Sequence, residues 1–222
     1  MTAIAIFVKT PGFSPVKSRL AAAVGTDLAE ACHLRCARTV AAVARSAAVG
    51  PVYWAVAEPA ALEQDNWSDL PVLTQPKGGL GVRMKSIQDE LIRRHGRGLL
   101  LGADLPQVNA ASLRTAHNWL AGLSKRGVIG PATDGGFWLV GANSLLPAAV
   151  WNEPIYGKNN ALRSFLAGSA DRLDWQQLAT FSDLDLLEDV PAVVSELENL
   201  PHTHPEQLRL LDWLSKHLIK PD

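Results

Sequence analysis

The chain has 222 residues, 47% of them hydrophobic, with 21 basic and 22 acidic side chains. That length fits one domain with a full core, or a domain with one appended helix. A net charge near zero argues against a general nucleic-acid binder, which needs a basic surface to displace counterions, and leaves room for a local basic pocket. No stretch approaches the roughly 20 apolar residues of a membrane helix, and no basic segment precedes the apolar run in Met1 to Lys9. The expectation is therefore a soluble, cytoplasmic protein without membrane or nucleic-acid partners.

In chain order, Ala3 to Val8 is a continuous apolar run, predicted as a first buried strand. The segment Lys9 to Leu20, KTPGFSPVKSRL, follows as a loop. An Ala-rich helix is predicted next, capped by Thr26 or Asp27 and running to about Val49. Pro51 to Ala57 reads as a second strand, Glu58 to Leu70 as a polar connection with one turn of helix, and Pro71 to Thr74 as a short third strand. After the glycine loop Gln75 to Gly81, Val82 to His95 has helical period. Gly98 to Ala103 is a further buried strand, and a helix is predicted near Asn109 to Leu123. Gly127 to Pro131 and Phe137 to Val140 are strands on either side of a tight turn, Thr133 to Gly136.

Beyond Asn143 the pattern predicts short helices around Pro147 and Pro154, an edge strand within Leu173 to Phe181, and a helix opening at Asp183 and running to about Leu197. Pro205 to Leu218 reads as an amphipathic helix with Leu208, Leu211, Leu214 and Leu218 as its docking stripe. Strands alternating with helices of this length predict an α/β fold with a mostly parallel, doubly wound sheet flanked by helices. The expected organisation is one domain over residues 1–200, with the helix of 201–222 packed on it. Cys32 and Cys36 share a helix face, and two thiols are a poor metal set because structural zinc takes four ligands, so free thiols are expected.

Four segments carry candidate chemistry. Asp104 ends the strand Gly98 to Ala103, where ligands of open α/β sheets bind, and a nucleotide or metal is expected there. The alternative is that Asp104 only caps the following helix. The Lys9–Arg19 loop sets Lys9, Lys17 and Arg19 around two stiffening prolines between a strand and a helix, suited to wrapping phosphates. It is neither a Walker loop nor a G-x-G-x-x-G fingerprint, and it reads otherwise as a solvated basic loop. Gly78-Gly79-Leu80-Gly81-Val82-Arg83 opens a helix, where glycines permit close backbone approach and the dipole favours an anion. Asp134-Gly135-Gly136 puts a carboxylate at another strand end, or is simply an Asp-Gly hairpin turn.

Together, KTPGFSPVKSRL at Lys9 to Leu20, GGLGVRM at Gly78 to Met84, GADLPQ at Gly102 to Gln107, GPATDGGFWLVG at Gly130 to Gly141 and DLDLLEDV at Asp183 to Val190 resemble a family of small GT-A-fold glycosyltransferases of the arsenosugar-biosynthesis type, within the nucleotide-diphospho-sugar transferase superfamily. The resemblance implies a nucleotide site formed by Lys9, Pro11, Lys17, Arg19, Gly79, Gly81 and Arg83, with Lys17 and Arg19 on the phosphates. It implies a metal held by Asp104 and Asp185, and an acceptor facing Asp134, Gly135 and Gly136. The chain departs from the pattern at Ala103, in place of the first acid of an Asp-x-Asp, at Leu186, where the family often has threonine, and over Ile155 to Asn160.

The chemistry expected is glycosyl transfer from a nucleotide sugar to a small acceptor. A divalent cation, Mg²⁺ or Mn²⁺, on the carboxylates would stabilise the departing diphosphate. Lys17 and Arg19 would assist, and Asp134 would act as base toward the acceptor. The alternatives are a nucleotidylyltransferase releasing pyrophosphate from a nucleoside triphosphate, for which the basic loop is equally suited, and a nucleotide-binding protein without turnover.

Overall fold

The computed structural model describes residues 1–63 and 65–219. Its centre is a seven-stranded sheet: β1 Ala3–Val8, β2 Val52–Val56, β3 Val72–Thr74, β4 Gly98–Gly102, β5 Arg126–Pro131, β6 Phe137–Ala142 and β7 Asp174–Gln177. The spatial order is β3-β2-β1-β4-β6-β5-β7. β1 pairs in parallel with both β2 and β4, whereas β6 runs antiparallel to both β4 and β5. The sheet is thus mostly parallel, as expected from the alternation of strands and helices. The exception follows from the five-residue link between β5 and β6, which is long enough for a hairpin and far too short for a crossover helix.

Burial on both faces explains why the inner strands read as unbroken apolar runs. In β1, Ile4, Ile6 and Val8 pack into one core, together with α2 (Thr26–Ser46) and α4 (Ala110–Leu120). Ala3 and Ala5 face the other core, against α3 (Leu80–His95), α5 (Ala148–Asn152) and α6 (Ala161–Ser169). A third cluster joins α1 (Ser18–Val24) and the first half of α2 to α7 (Val190–Glu198) and α8 (Pro205–His217). Among the described residues no helix is long and apolar enough to cross a membrane.

Three local expectations are corrected. Gly25, at φ 89°, breaks the first helical stretch into α1 and α2, so Thr26 and Asp27 lie inside α2 rather than capping it. The polar connection folds into two 3₁₀ turns, Pro59–Glu63 and Asp65–Trp67, not one. The buried stripe of α8 is Gln207, Leu210, Trp213 and Leu214, continuing to Leu218 beyond its end. Leu208 is 54% exposed and Leu211 is half-buried. Both cysteines are free thiols, buried in the third cluster.

Candidate functional site

Consecutive strands turn opposite ways from β1: the chain builds β2 and β3 on one side, then returns to lay β4 on the other. The chain therefore leaves the carboxyl ends of the paired strands β1 and β4 in opposite directions, which opens a crevice at this switch point. A cleft of about 470 Å³ lies there, lined among others by Lys9, Lys17, Arg19, Arg83, Asp104 and Asp185. Six of the residues expected to bind or catalyse thus share one cavity. Asp104 does not cap α4: the Asn109 side chain accepts the Ser112 N–H at 2.8 Å, leaving the aspartate to face the cleft.

Lys17 differs most from the sequence reading. It precedes α1 in the left-handed region, φ 42°, and its side chain is 1% exposed. Its Nζ lies 2.6 Å from Asp104 Oδ1 and donates to the Leu184 carbonyl. Burial alone would raise the Asp104 carboxyl, but the Lys17 ammonium, aided by His33, holds it well below the usual carboxylate range. Burial would likewise lower Lys17, and the neighbouring carboxylate reverses this and raises it. Lys17 is therefore a fixed internal cation tying the β4 end to the segment at Leu184. His33 completes this knot: Nε2 donates to the Lys9 carbonyl at 2.9 Å, and Nδ1 sits 3.6 Å from Asp104 Oδ1.

The acidic segment 182–186 is pinned from three sides. The Leu184 N–H donates to the Asp104 carbonyl at 3.2 Å. Asp189 Oδ2 accepts the N–H groups of Asp185 and Leu186 at 2.9 and 2.7 Å. Glu196 accepts the Ser182 hydroxyl at 2.8 Å and the Gln107 amide at 2.7 Å. These bonds gather acids that ordinary repulsion would separate. Asp183 is pushed up to about 8 by burial and then by Asp134, Asp185 and Asp104. Asp185 is raised by burial and by Asp104, while Arg19, 3.8 Å away, opposes the rise.

The remaining residues lie around this centre rather than in the cleft lining. Pro11 is half-buried in a loop braced by Thr10, which takes the Phe13 and Ser14 N–H groups on its carbonyl. Those two backbone donors are thereby engaged within the loop. Gly79 is the exposed residue before α3. Gly81 is buried, and a Cβ there would fall 1.9 Å from the Trp151 carbonyl oxygen, so this glycine permits the α3–α5 contact. Asp134 is exposed and accepts the Gly136 N–H at 2.7 Å. Gly135, φ 86°, packs against Asn159, and its carbonyl accepts the Leu162 N–H at 3.0 Å.

Sequence reasoning did not single out His33, Gln75 or Asp183. Gln75 follows β3 directly, as Asp104 closely follows β4, and Asp183 stands two residues before Asp185. Either position was a usable signal. For His33, buried on α2, the sequence carries none.

A mostly parallel sheet with this strand order and a switch-point cleft edged by cations and carboxylates defines a nucleotide-diphospho-sugar transferase-like fold. The chain belongs to a family described as uncharacterized proteins conserved in bacteria, DUF2064, whose model matches residues 39–157. It is similar in structure to a protein from Desulfovibrio desulfuricans G20 provisionally described as a nucleotide-diphospho-sugar transferase. That likeness has a TM-score of 0.84 and 22% identity, over 98% of this chain and 96% of that one. A nucleotidyl transferase from Methanothermobacter matches with a TM-score of 0.51 and 14% identity, over 97% and 98% of the two chains. Rv0371c from Mycobacterium tuberculosis H37Rv matches with a TM-score of 0.50 and 16% identity, over 86% and 96%. At these identities the likenesses establish the fold. No functionally curated protein matches the chain.

Proposed function

We propose that the protein is a nucleotide-dependent transferase that moves a glycosyl group from a nucleotide sugar to a small acceptor, as the motif resemblance implies. The observation that carries this reading is the cleft itself, where Lys9, Arg19 and Arg83 stand with Asp104 and Asp185 at the switch point. The three cations would hold the diphosphate by charge-assisted hydrogen bonds. Lys17 would act indirectly, by fixing Asp104 and the Leu184 segment.

The donor set fits a divalent cation. Asp104 is 37% exposed beside its ion pair, and the raised carboxyls of Asp183 and Asp185 mark local negative charge that a cation would relieve. Among the described residues no group of three or more His, Cys, Asp or Glu is arranged to enclose a metal. Mg²⁺ is commonly held by one or two carboxylates together with substrate phosphates, which suits Asp104 and Asp185. Such an ion would stabilise negative charge on the leaving diphosphate. Asp134, exposed beyond the acidic segment, would receive the proton of the acceptor hydroxyl, and Gly135 and Gly136 would shape the acceptor side.

Nucleotidylyl transfer, the activity for which the Methanothermobacter protein is named, is the second reading. It requires further cations for a pyrophosphate leaving group, and Lys17, one of the three loop cations, is already engaged by Asp104. That favours the diphosphate reading. The test is a thermal-shift series with nucleoside diphosphates and nucleotide sugars, with and without Mn²⁺. A ligand at 100 times its Kd stabilises by about 2.7 kcal/mol, so a Mn²⁺-dependent rise in Tm is expected, and no rise with any nucleotide contradicts the proposal.

A further inference from the structure

We propose that Glu196, which stands outside the cleft, is a positioning residue: by clamping together the segments that carry Asp104 and Asp185 it sets their spacing, and with it the metal-dependent part of nucleotide binding. This rests on the nucleotide reading above and deepens it.

Asp104 and Asp185 reach the cleft from distant parts of the chain, so their spacing depends on what ties the two segments together. One tie is at Leu184, whose N–H donates to the Asp104 carbonyl and whose carbonyl takes Lys17 Nζ. The other lies three residues out along each segment, at Gln107 and Ser182. Gln107 is fully buried, and its Nε2 donates at 2.6 Å to the carbonyl of Ser182, 75 residues away in sequence. The same nitrogen donates to Glu196 Oε2 at 2.7 Å. Glu196 also takes the Ser182 N–H on Oε2 at 3.2 Å and the Ser182 hydroxyl on Oε1 at 2.8 Å. Three uncharged donors, drawn from both segments, thus converge on one carboxylate. With the Leu184 tie alone the acidic segment could pivot, and the second tie fixes its direction.

Two local costs mark this clamp as more than packing. Glu196 lies in the last turn of α7, where the helix dipole disfavours a carboxylate. Gln107 Oε1 is buried without a partner. The Ser182 carbonyl and the Glu196 carboxylate only accept, so the amide cannot turn over to relieve it. Buried groups left unsatisfied are rare in native folds and call for a reason. Val193, Val194 and Leu197 anchor α7 in the third core, so the clamp is mounted on a rigid element. A divalent ion held by few carboxylates is sensitive to their spacing, and loss of a group that orients its ligands typically costs about 10- to 100-fold in metal affinity. Glutamine at this position has the size of glutamate but brings an amino group that would face the donors of Gln107 or Ser182.

The experiment is isothermal titration calorimetry of the full chain with ADP, CDP, GDP and UDP, each in Mn²⁺ and in EDTA, on the wild type, Glu196→Gln, Asp185→Asn and the double variant. With Mn²⁺, Glu196→Gln is expected to weaken the tightest-binding diphosphate about tenfold or more, and in EDTA to leave its affinity unchanged. In the Asp185→Asn background the same change is expected to cost nothing further, because Glu196 acts through the carboxylate pair. A loss of equal size in Mn²⁺ and EDTA, or one that persists beside Asp185→Asn, makes Glu196 a merely structural group and overturns the inference. Unchanged affinity overturns it too. If Mn²⁺ brings the wild type no gain, the metal pair and this inference fall while a nucleotide site stands. If none of the four binds, the nucleotide reading falls and takes this inference with it. Should Glu196→Gln fail to fold, Ser182→Ala, which removes one of the three donors, is judged by the same comparisons.

Discussion

Lys17 Nζ lies 2.6 Å from Asp104 Oδ1, so the lysine expected on a phosphate is held by the carboxylate, just beyond β4, that was expected on a metal. Removing one partner of a buried pair strands the other charge and typically costs 3–5 kcal/mol. Asp104 retains solvent contact, 37% exposed, which lowers that figure. Lys17→Met is expected to destabilise the fold by about 2–3 kcal/mol. Asp104→Asn, which leaves the lysine ammonium sealed in, is expected to cost at least as much. The double variant should cost less than the sum of the two. Urea unfolding of the four proteins measures the coupling, and simple additivity would mean that the pair contributes nothing.

Arg19 is exposed and loosely paired with Asp185, in contrast to Lys17. Arg19→Ala should therefore leave stability nearly unchanged and weaken a nucleoside diphosphate by about 1.5–3 kcal/mol, the worth of a hydrogen bond to a charged group. The matching nucleoside should bind as before. Titration of both ligands separates the cases, since equal losses would point to a structural role for the loop.

Asp183 titrates against stability. Its folded carboxyl is pushed up to about 8, above the ordinary aspartate value of about 3.9. Below the unfolded value both states are protonated, and the folded state suffers no penalty. As pH rises toward 8 the unfolded chain ionises first, and stability falls. Asp183→Asn is accordingly expected to raise Tm in EDTA-treated protein at pH 8 and to leave it unchanged at pH 4. A Tm difference independent of pH would show that the carboxyl is not held protonated by its neighbours.

Gly81 provides a control for the glycine segment. Gly81→Ala places a methyl against the Trp151 carbonyl, and overpacking of that kind costs about 1–3 kcal/mol. Loss of stability is expected, measured by chemical denaturation, with nucleotide affinity of the folded fraction retained. Unchanged stability with lost affinity would instead make Gly81 a point of ligand approach.

Much of the frame was legible because burial on both faces leaves a local mark. β1 is Ala3–Val8, as its apolar run predicts, and β4 Gly98–Gly102 ends one residue earlier than its run. What escaped was set by tertiary partners. Nothing local distinguishes Lys17, which is sealed beneath Leu184, from Arg19, which faces water, since each is a cation after the second proline of the loop. Gly81 reads like any helix-opening glycine until Trp151 arrives from 70 residues away. Asp183 and Asp185 look equivalent in DLDLLEDV, and only the docking of Leu184 on Asp104 gives them different surroundings. The α8 stripe was misplaced because leucine recurs on two adjacent faces, and contact with α2 and α7 selected the one that carries Leu210 and Trp213.

The most direct test of the transferase reading is the identity of the released product. Purified protein with Mn²⁺ is incubated separately with nucleotide sugars and with nucleoside triphosphates, and nucleoside diphosphate and pyrophosphate are quantified. Nucleoside diphosphate released from a nucleotide sugar, slowly onto water and faster with a suitable acceptor, is the expected result. Pyrophosphate released from a nucleoside triphosphate with a phosphorylated acceptor would contradict it and make the basic loop a triphosphate clamp.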